Sequence, residues 1–159
     1  MEHDVDAAGT APKVKTEFRH WQSLSDGFLV SLIITGPTFL FAELWRGKPM
    51  IDQGGFLWLV PGLILAIGFF VGSTIAGRHR QNPRGAFNQG LLVAALTFVL
   101  LFIADLVRRF VLGQGMELTV LGYWAAAAVA TLLVGGLGGV YGRHRTIKGL
   151  KRRQNNRFF

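Results

Sequence analysis

Four long apolar runs, separated by short polar stretches, dominate the pattern of this 159-residue chain. They cover about Gly27 to Trp45, Phe56 to Ala76, Gly90 to Val107 and Thr119 to Tyr141. Each is close to the ~20 residues that a helix needs to cross a bilayer. No Asp, Glu, Lys or Arg falls in the middle third of any run. The apolarity is all-round: between Leu91 and Ala104 the one polar residue is Thr97, whereas a soluble bundle helix keeps a polar outer face. In hydrocarbon each segment must satisfy its own backbone, and strand-like alternation is weak, so helix is the expected form. Pro37 and Pro61, breakers in soluble helices, are tolerated in membrane helices with a kink. The pattern predicts an all-α integral membrane fold of four transmembrane helices arranged as two tandem hairpins.

Polar tails flank this domain. Residues 1–26 hold no apolar core that would serve as a secretory signal, and they read as a cytoplasmic tail. Phe18, Trp21 and Leu24 fall at helical spacing there, which fits a short interfacial helix as well as it fits an unstructured tail. Residues 142–159 form a second tail with seven basic residues and no acidic one. As a helix it would place Ile147, Leu150 and the Lys151 stem on one side, against an anionic leaflet.

Counting Lys and Arg by flank sets the topology. Thirteen lie in the N-terminal tail, the loop after the second run and the C-terminal tail, against four after the first and third runs. The positive-inside rule then puts both termini in the cytoplasm of a bacterial-type inner membrane. Composition agrees: half the residues are hydrophobic, 16% are charged and the mean hydropathy is +0.37. The net charge of +8 suggests nucleic acid only where cations share a folded face with stacking aromatics. Here they sit between apolar runs, so anionic membrane lipids are the expected partner and nucleic acid is not. Without cysteine, thiolate metal sites, disulfides and cysteine nucleophiles are excluded.

The two halves resemble each other. "DGFLVS" from Asp26 and "QGLLVA" from Gln89 stand 63 apart, "AELWR" from Ala42 and "ADLVR" from Ala104 stand 62 apart, and the tetrapeptide Gly-Arg-His-Arg occurs at Gly77 and again at Gly142. Two hairpins of the same sense make a direct repeat, with an axis along the membrane normal. The two tetrapeptides would then mark equivalent cytoplasmic ends of helices 2 and 4.

Small residues let membrane helices approach closely. Gly68, Gly72 and Ala76 recur every four residues, and the fourth run offers Gly135 with Gly139 and Gly138 with Gly142. These rows predict that helices 2 and 4 pack together, or that helix 4 packs on a second copy or a partner membrane protein. Helices 1 and 3, richer in large apolar residues, are expected to face lipid.

Candidate chemistry is sparse. Glu43 with Arg46 and Asp105 with Arg108 are spaced for ion pairs at the outer ends of helices 1 and 3, where they serve either as interfacial pairs or as a polar mouth; Asp105, about one turn inside the boundary, can be neutralised by Arg108 or Arg109. His79 and His144 sit among arginines, which repel cations and cannot coordinate them, so neither metal nor catalysis is expected there. Arg78, Arg80, Arg84, Arg143, Arg145, Lys148, Lys151, Arg152 and Arg153 are read as lipid-headgroup contacts that also complement helix C-termini. No phosphate loop, zinc-protease helix, serine elbow or catalytic carboxylate pair is present, and no cofactor is implied. The expectation is a non-enzymatic accessory, assembly or scaffold subunit that docks other membrane helices. The alternative is a subunit of a small homo-oligomeric transporter or channel, with Thr35, Thr38, Ser73, Thr74 and Thr97 lining a weakly polar path.

Overall fold

The structure, a computed structural model, describes the backbone of residues 11–44, 59–80 and 82–155 and the side chains of 21–42, 60–80 and 82–149. Among these residues there are four helices and no strand: α1 (Ala11–Leu44), α2 (Leu59–Gly77), α3 (Pro83–Val111) and α4 (Leu118–Asn155). Each contains a stretch long and apolar enough to cross a membrane, namely Trp21–Ala42, Val60–Gly77, Pro83–Val111 and Leu118–Gly149.

Three helices outrun their apolar runs. At 1.5 Å per residue, the 34 residues of α1 and the 38 of α4 reach about 51 and 57 Å, well beyond the ~30 Å of a hydrocarbon core. Hydropathy marks where hydrocarbon ends; a helix stops where its backbone is capped. The start of α3 shows the difference. Asn82 is extended (φ −93°, ψ 135°) and its side chain accepts from the Arg84 N–H, with Pro83 in the first turn, so α3 begins ahead of Gly90. At the far end, the φ of +65° at Gly113 lets the Gln114 N–H reach the Arg109 carbonyl at 2.9 Å and the Gly113 N–H reach that of Phe110 at 3.2 Å, a Schellman-type close.

The repeated tetrapeptide therefore takes two conformations. Arg78 and His79 form the turn after α2, whereas Arg143, His144 and Arg145 lie within α4. The local letters are the same, but only the first copy runs into an Asn-Pro start signal. This corrects the expectation of equivalent helix ends: α4 continues without a break through Gly142 to Asn155.

α2 and α3 form the centre of the bundle, each packed against all three other helices, while α1 and α4 flank them, their backbones apart among the described residues and linked through the Phe39 and Trp124 rings. The expectation that helix 3 faces lipid is overturned, because one face of α3, from Ala86 through Gln89, Val93, Thr97, Leu101 and Asp105 to Arg109, is buried. Among the described residues ten polar or charged residues are buried, against six hydrophobic ones, and large apolar side chains such as Ile33, Leu63, Val107 and Leu137 point outward. Such inversion suits a bilayer, where packing and hydrogen bonds rather than apolar burial hold helices together.

Two glycine seams close the hairpins. A Cβ on Gly27 would lie 2.5 Å from the Gly72 carbonyl oxygen and run into Ala76, and one on Gly72 would meet the Gly27 carbonyl and Ser31. In the second hairpin Gly90 meets the Gly135 carbonyl and Gly139, while Gly135 meets Ala94 and the Gly90 carbonyl. Every member of the second set stands 63 positions after its counterpart in the first. The Gly68, Gly72 and Ala76 row thus packs on α1 and not on α4. α2 and α4 do meet, through other positions: Gly138 lies on Phe70 and Ser73, Gly142 on the Thr74 carbonyl, and Gly77 on Gly139.

Candidate functional site

The buried face of α3 carries the polar groups at both ends of the bundle. Toward the C-terminal end of α3 Asp105 is 1% exposed, a position where an unpaired carboxylate would be costly. It is saturated instead. The Arg109 Nε donates to Oδ2 at 2.7 Å, the Arg108 Nη1 to Oδ1 at 3.3 Å, and the Trp124 indole N–H to Oδ2 at 3.1 Å. Arg109 is itself buried and sits in the last turn of α3, where a cation also meets the negative end of the helix dipole. Trp124 is held edge-on by Phe98 and Phe102, with centroids 5.4 and 5.2 Å away, and its ring reaches across to Phe39 of α1 at 6.4 Å.

The pairing of Asp105 with Arg108 or Arg109 was legible in the sequence, and the structure brings both to the carboxylate; Trp124 was not singled out. Arg109 falls at i+4 from Asp105, one more step along the Gln89, Val93, Thr97, Leu101 row, and that periodicity favours it as the buried partner. Trp124 comes from another helix, and no local pattern points to it. The other expected ion pair falls outside the described residues, both for the Glu43 side chain and for Arg46.

At the opposite end of the bundle, near the start of α3, the half-buried Arg80 turns back from the loop, its Nε donating to the Gln89 Oε1 at 2.8 Å. Arg78, Arg84, Arg145 and Lys148 are exposed, Arg143 is half-buried, and the side chains of Lys151, Arg152 and Arg153 lie outside the described ones. His79 and His144 are exposed on separate helical segments.

Between these ends the hydroxyls are turned to carbonyls. Thr35, Thr38, Thr74 and Thr97 each donate to the carbonyl four residues back, at 2.8 to 3.0 Å. Two serines cross between helices. Ser73 of α2 donates to the Gly90 carbonyl of α3 at 2.9 Å. Ser23 of α1 donates to the carbonyls of Ile75 and Ala76 at 3.0 and 2.9 Å, which belong to the last turn of α2, where intrahelical N–H donors run out; the Ile75 carbonyl also accepts from the Arg78 N–H at 3.4 Å. The exception is the buried Ser31 Oγ, which has no hydrogen-bond partner. Chemically the interior offers no convergent set of nucleophile, base or metal donors among the described residues; it offers a saturated ion cluster and hydrogen bonds that tie helices together.

Set against known proteins, the chain matches no family model, no curated protein and no solved structure.

Proposed function

We propose that this is a non-enzymatic, multi-pass inner-membrane protein, built from a duplicated hairpin with both termini in the cytoplasm, that serves as an accessory, assembly or scaffold subunit. The observation that carries the reading is the fate of the interior polar groups. The threonines suggested for a path donate to their own helices, Ser73 and Ser23 bridge helices, and Asp105 is occupied by three donors. Groups spent in this way hold a bundle together, and the single unpartnered buried hydroxyl among the described residues, that of Ser31, is too little to replace a solute's hydration shell.

The duplication is supported by the 63-residue correspondence of the two glycine seams. The cytoplasmic placement rests on the thirteen-to-four distribution of Lys and Arg. Exposed Arg78, Arg84, Arg145 and Lys148 suit anionic headgroups. Because the glycine rows are taken up within the chain, partner helices are assigned to the outer half of α4. There Gly122, Ala126 and Ala130 are exposed, and a Cβ on Gly122 would meet nothing within 4 Å.

The test is purification of the full chain in mild detergent, with the co-purifying proteins counted by mass spectrometry. A stoichiometric membrane partner that is lost on Ala126→Leu with Ala130→Leu, while the chain stays folded, is the expected result. Solute flux in liposomes that disappears with Asp105→Asn in a folded protein would overturn the proposal in favour of a transporter or channel subunit.

A further inference from the structure

The seams fix which positions of the two hairpins correspond: Gly27, Ser31, Gly72 and Ala76 in the first match Gly90, Ala94, Gly135 and Gly139 in the second, always 63 positions later. That correspondence decides how one hairpin meets the other. A two-fold axis would bring the same positions of α2 and α4 face to face. The structure brings different ones together. Phe70, Ser73 and Thr74 of α2 lie on Gly138 and Gly142 of α4, and the Phe70 and Tyr141 rings meet with centroids 5.6 Å apart. Carried over by 63 positions, Phe70 and Thr74 become Leu133 and Leu137, while Gly138 and Gly142 become Ile75 and His79. At 3.6 residues per turn, the step from Phe70 to Ile75 or from Thr74 to His79 turns about 140° around α2.

The contact between α2 and α3 departs from two-fold symmetry in the same sense. Ser73 donates to the Gly90 carbonyl at 2.9 Å, but the counterpart helices, α4 and α1, keep their backbones apart among the described residues. The hairpins therefore meet head to tail, and such a contact leaves one surface of each hairpin unused. On the second hairpin Leu133 and Leu137 are 59% and 63% exposed. On the first, Ile75 is half-buried and His79 is exposed. The order of the contacts, Phe70 on Gly138 and Thr74 on Gly142, makes α2 and α4 parallel, so a further copy joined in this way keeps the same orientation across the bilayer.

We propose that the chain assembles with further copies of itself head to tail, Leu133 and Leu137 of α4 packing on the Ile75 and His79 side of α2 in the next copy. The junction between chains then repeats the junction between hairpins, and the oligomer grows beyond two chains. The assignment rests on the duplicated hairpin proposed above. It engages the C-terminal half of α4 and leaves Gly122 and Ala126 to the partner helix placed there.

The test uses the full chain, which has no native cysteine, in vesicles treated with a short bifunctional thiol reagent. Leu133→Cys and Ile75→Cys on one chain are expected to give a ladder of dimers, trimers and higher species. Leu133→Cys in one tagged chain and Ile75→Cys in another should give a mixed dimer. Leu133→Cys with Leu29→Cys should not, because Leu92, the counterpart of Leu29, is 43% exposed and outside the hairpin junction. Phe70→Cys with Tyr141→Cys within one chain reports on the hairpin junction itself. If that internal link forms and no ladder does, the assembly is overturned while the hairpin packing stands; if the internal link is missing, the packing on which both rest is overturned. A product that stops at the dimer, or linkage of Leu133→Cys to its own copy in place of Ile75→Cys, would show a two-fold pair and overturn the head-to-tail assignment.

Discussion

The indole N–H of Trp124 donates to Asp105 Oδ2 at 3.1 Å, joining α4 to α3 near the C-terminal end of α3. The same oxygen takes the Arg109 Nε at 2.7 Å. One carboxylate thereby secures its own helix end and a neighbouring helix. Asp105→Ala leaves the buried Arg109 without this acceptor, and loss of one partner of a buried pair costs ~3–5 kcal/mol. Trp124→Phe keeps a ring among Phe98 and Phe102 and removes one hydrogen bond, which in membrane proteins costs about 0.6 to 1.7 kcal/mol. Unfolding titrations in mixed micelles should rank Asp105→Ala well below Trp124→Phe. Equal stabilities would mean that the cluster does not hold the C-terminal end of α3.

The hairpin seams make paired predictions. Gly27→Ala and Gly90→Ala place a methyl against the backbone of the facing helix, and overpacking of this kind costs about 1–3 kcal/mol. Gly36 and Gly122 face open space, so alanine there should be neutral or stabilising by up to ~1 kcal/mol through helix propensity. Thermal melts of the four variants check the contrast. It fails if Gly36→Ala is as damaging as Gly90→Ala.

Ser31 and Ala94 hold corresponding places against Gly72 and Gly135. Since the Ser31 hydroxyl has no partner, Ser31→Ala is expected to change stability by less than ~0.5 kcal/mol or to raise it. Ser73→Ala removes a bond between α2 and α3 and should cost about 0.6 kcal/mol or more. A larger loss from Ser31→Ala than from Ser73→Ala would contradict the hydrogen-bond assignment.

The continuation of α4 past the second tetrapeptide is tested by Ile147→Pro. A proline inside a helix costs ~3 kcal/mol locally and should lower the far-ultraviolet helix signal in proportion to the segment after Gly142. The thermal midpoint of the bundle should stay in place, because the seams lie on the other side of the break. An unchanged helix signal would show that the segment is not helical.

The spans were legible in the sequence because all-round apolarity is a property of single segments. The central position of α3 was not, although Gln89, Thr97, Asp105 and Arg109 follow a near four-residue period inside an apolar helix. Composition favoured placing that helix against lipid, while periodicity pointed inward. The glycine rows identified close-packing faces, but a row does not name its partner: Gly68 and Gly72 meet α1, and α4 meets α2 through Gly138 and Gly142. Helix ends were misjudged because hydropathy reports the bilayer, whereas Asn82, Pro83 and Gly113 set the actual limits. Trp124 as a partner of Asp105 depends on tertiary contact between two helices, which no local pattern encodes.

Whether the polar interior is sealed is tested most directly by labelling, since the native chain has no cysteine. Single substitutions Ser31→Cys, Ser73→Cys and Thr97→Cys, with Gln114→Cys and Arg145→Cys as exposed references, are treated in sealed vesicles with a membrane-impermeant thiol reagent applied from each side. The expected result is no labelling at the three interior positions, with Gln114→Cys labelled from outside and Arg145→Cys from inside. Labelling of Ser31→Cys and Thr97→Cys at rates close to the reference positions would reveal a water-filled path and contradict the scaffold assignment.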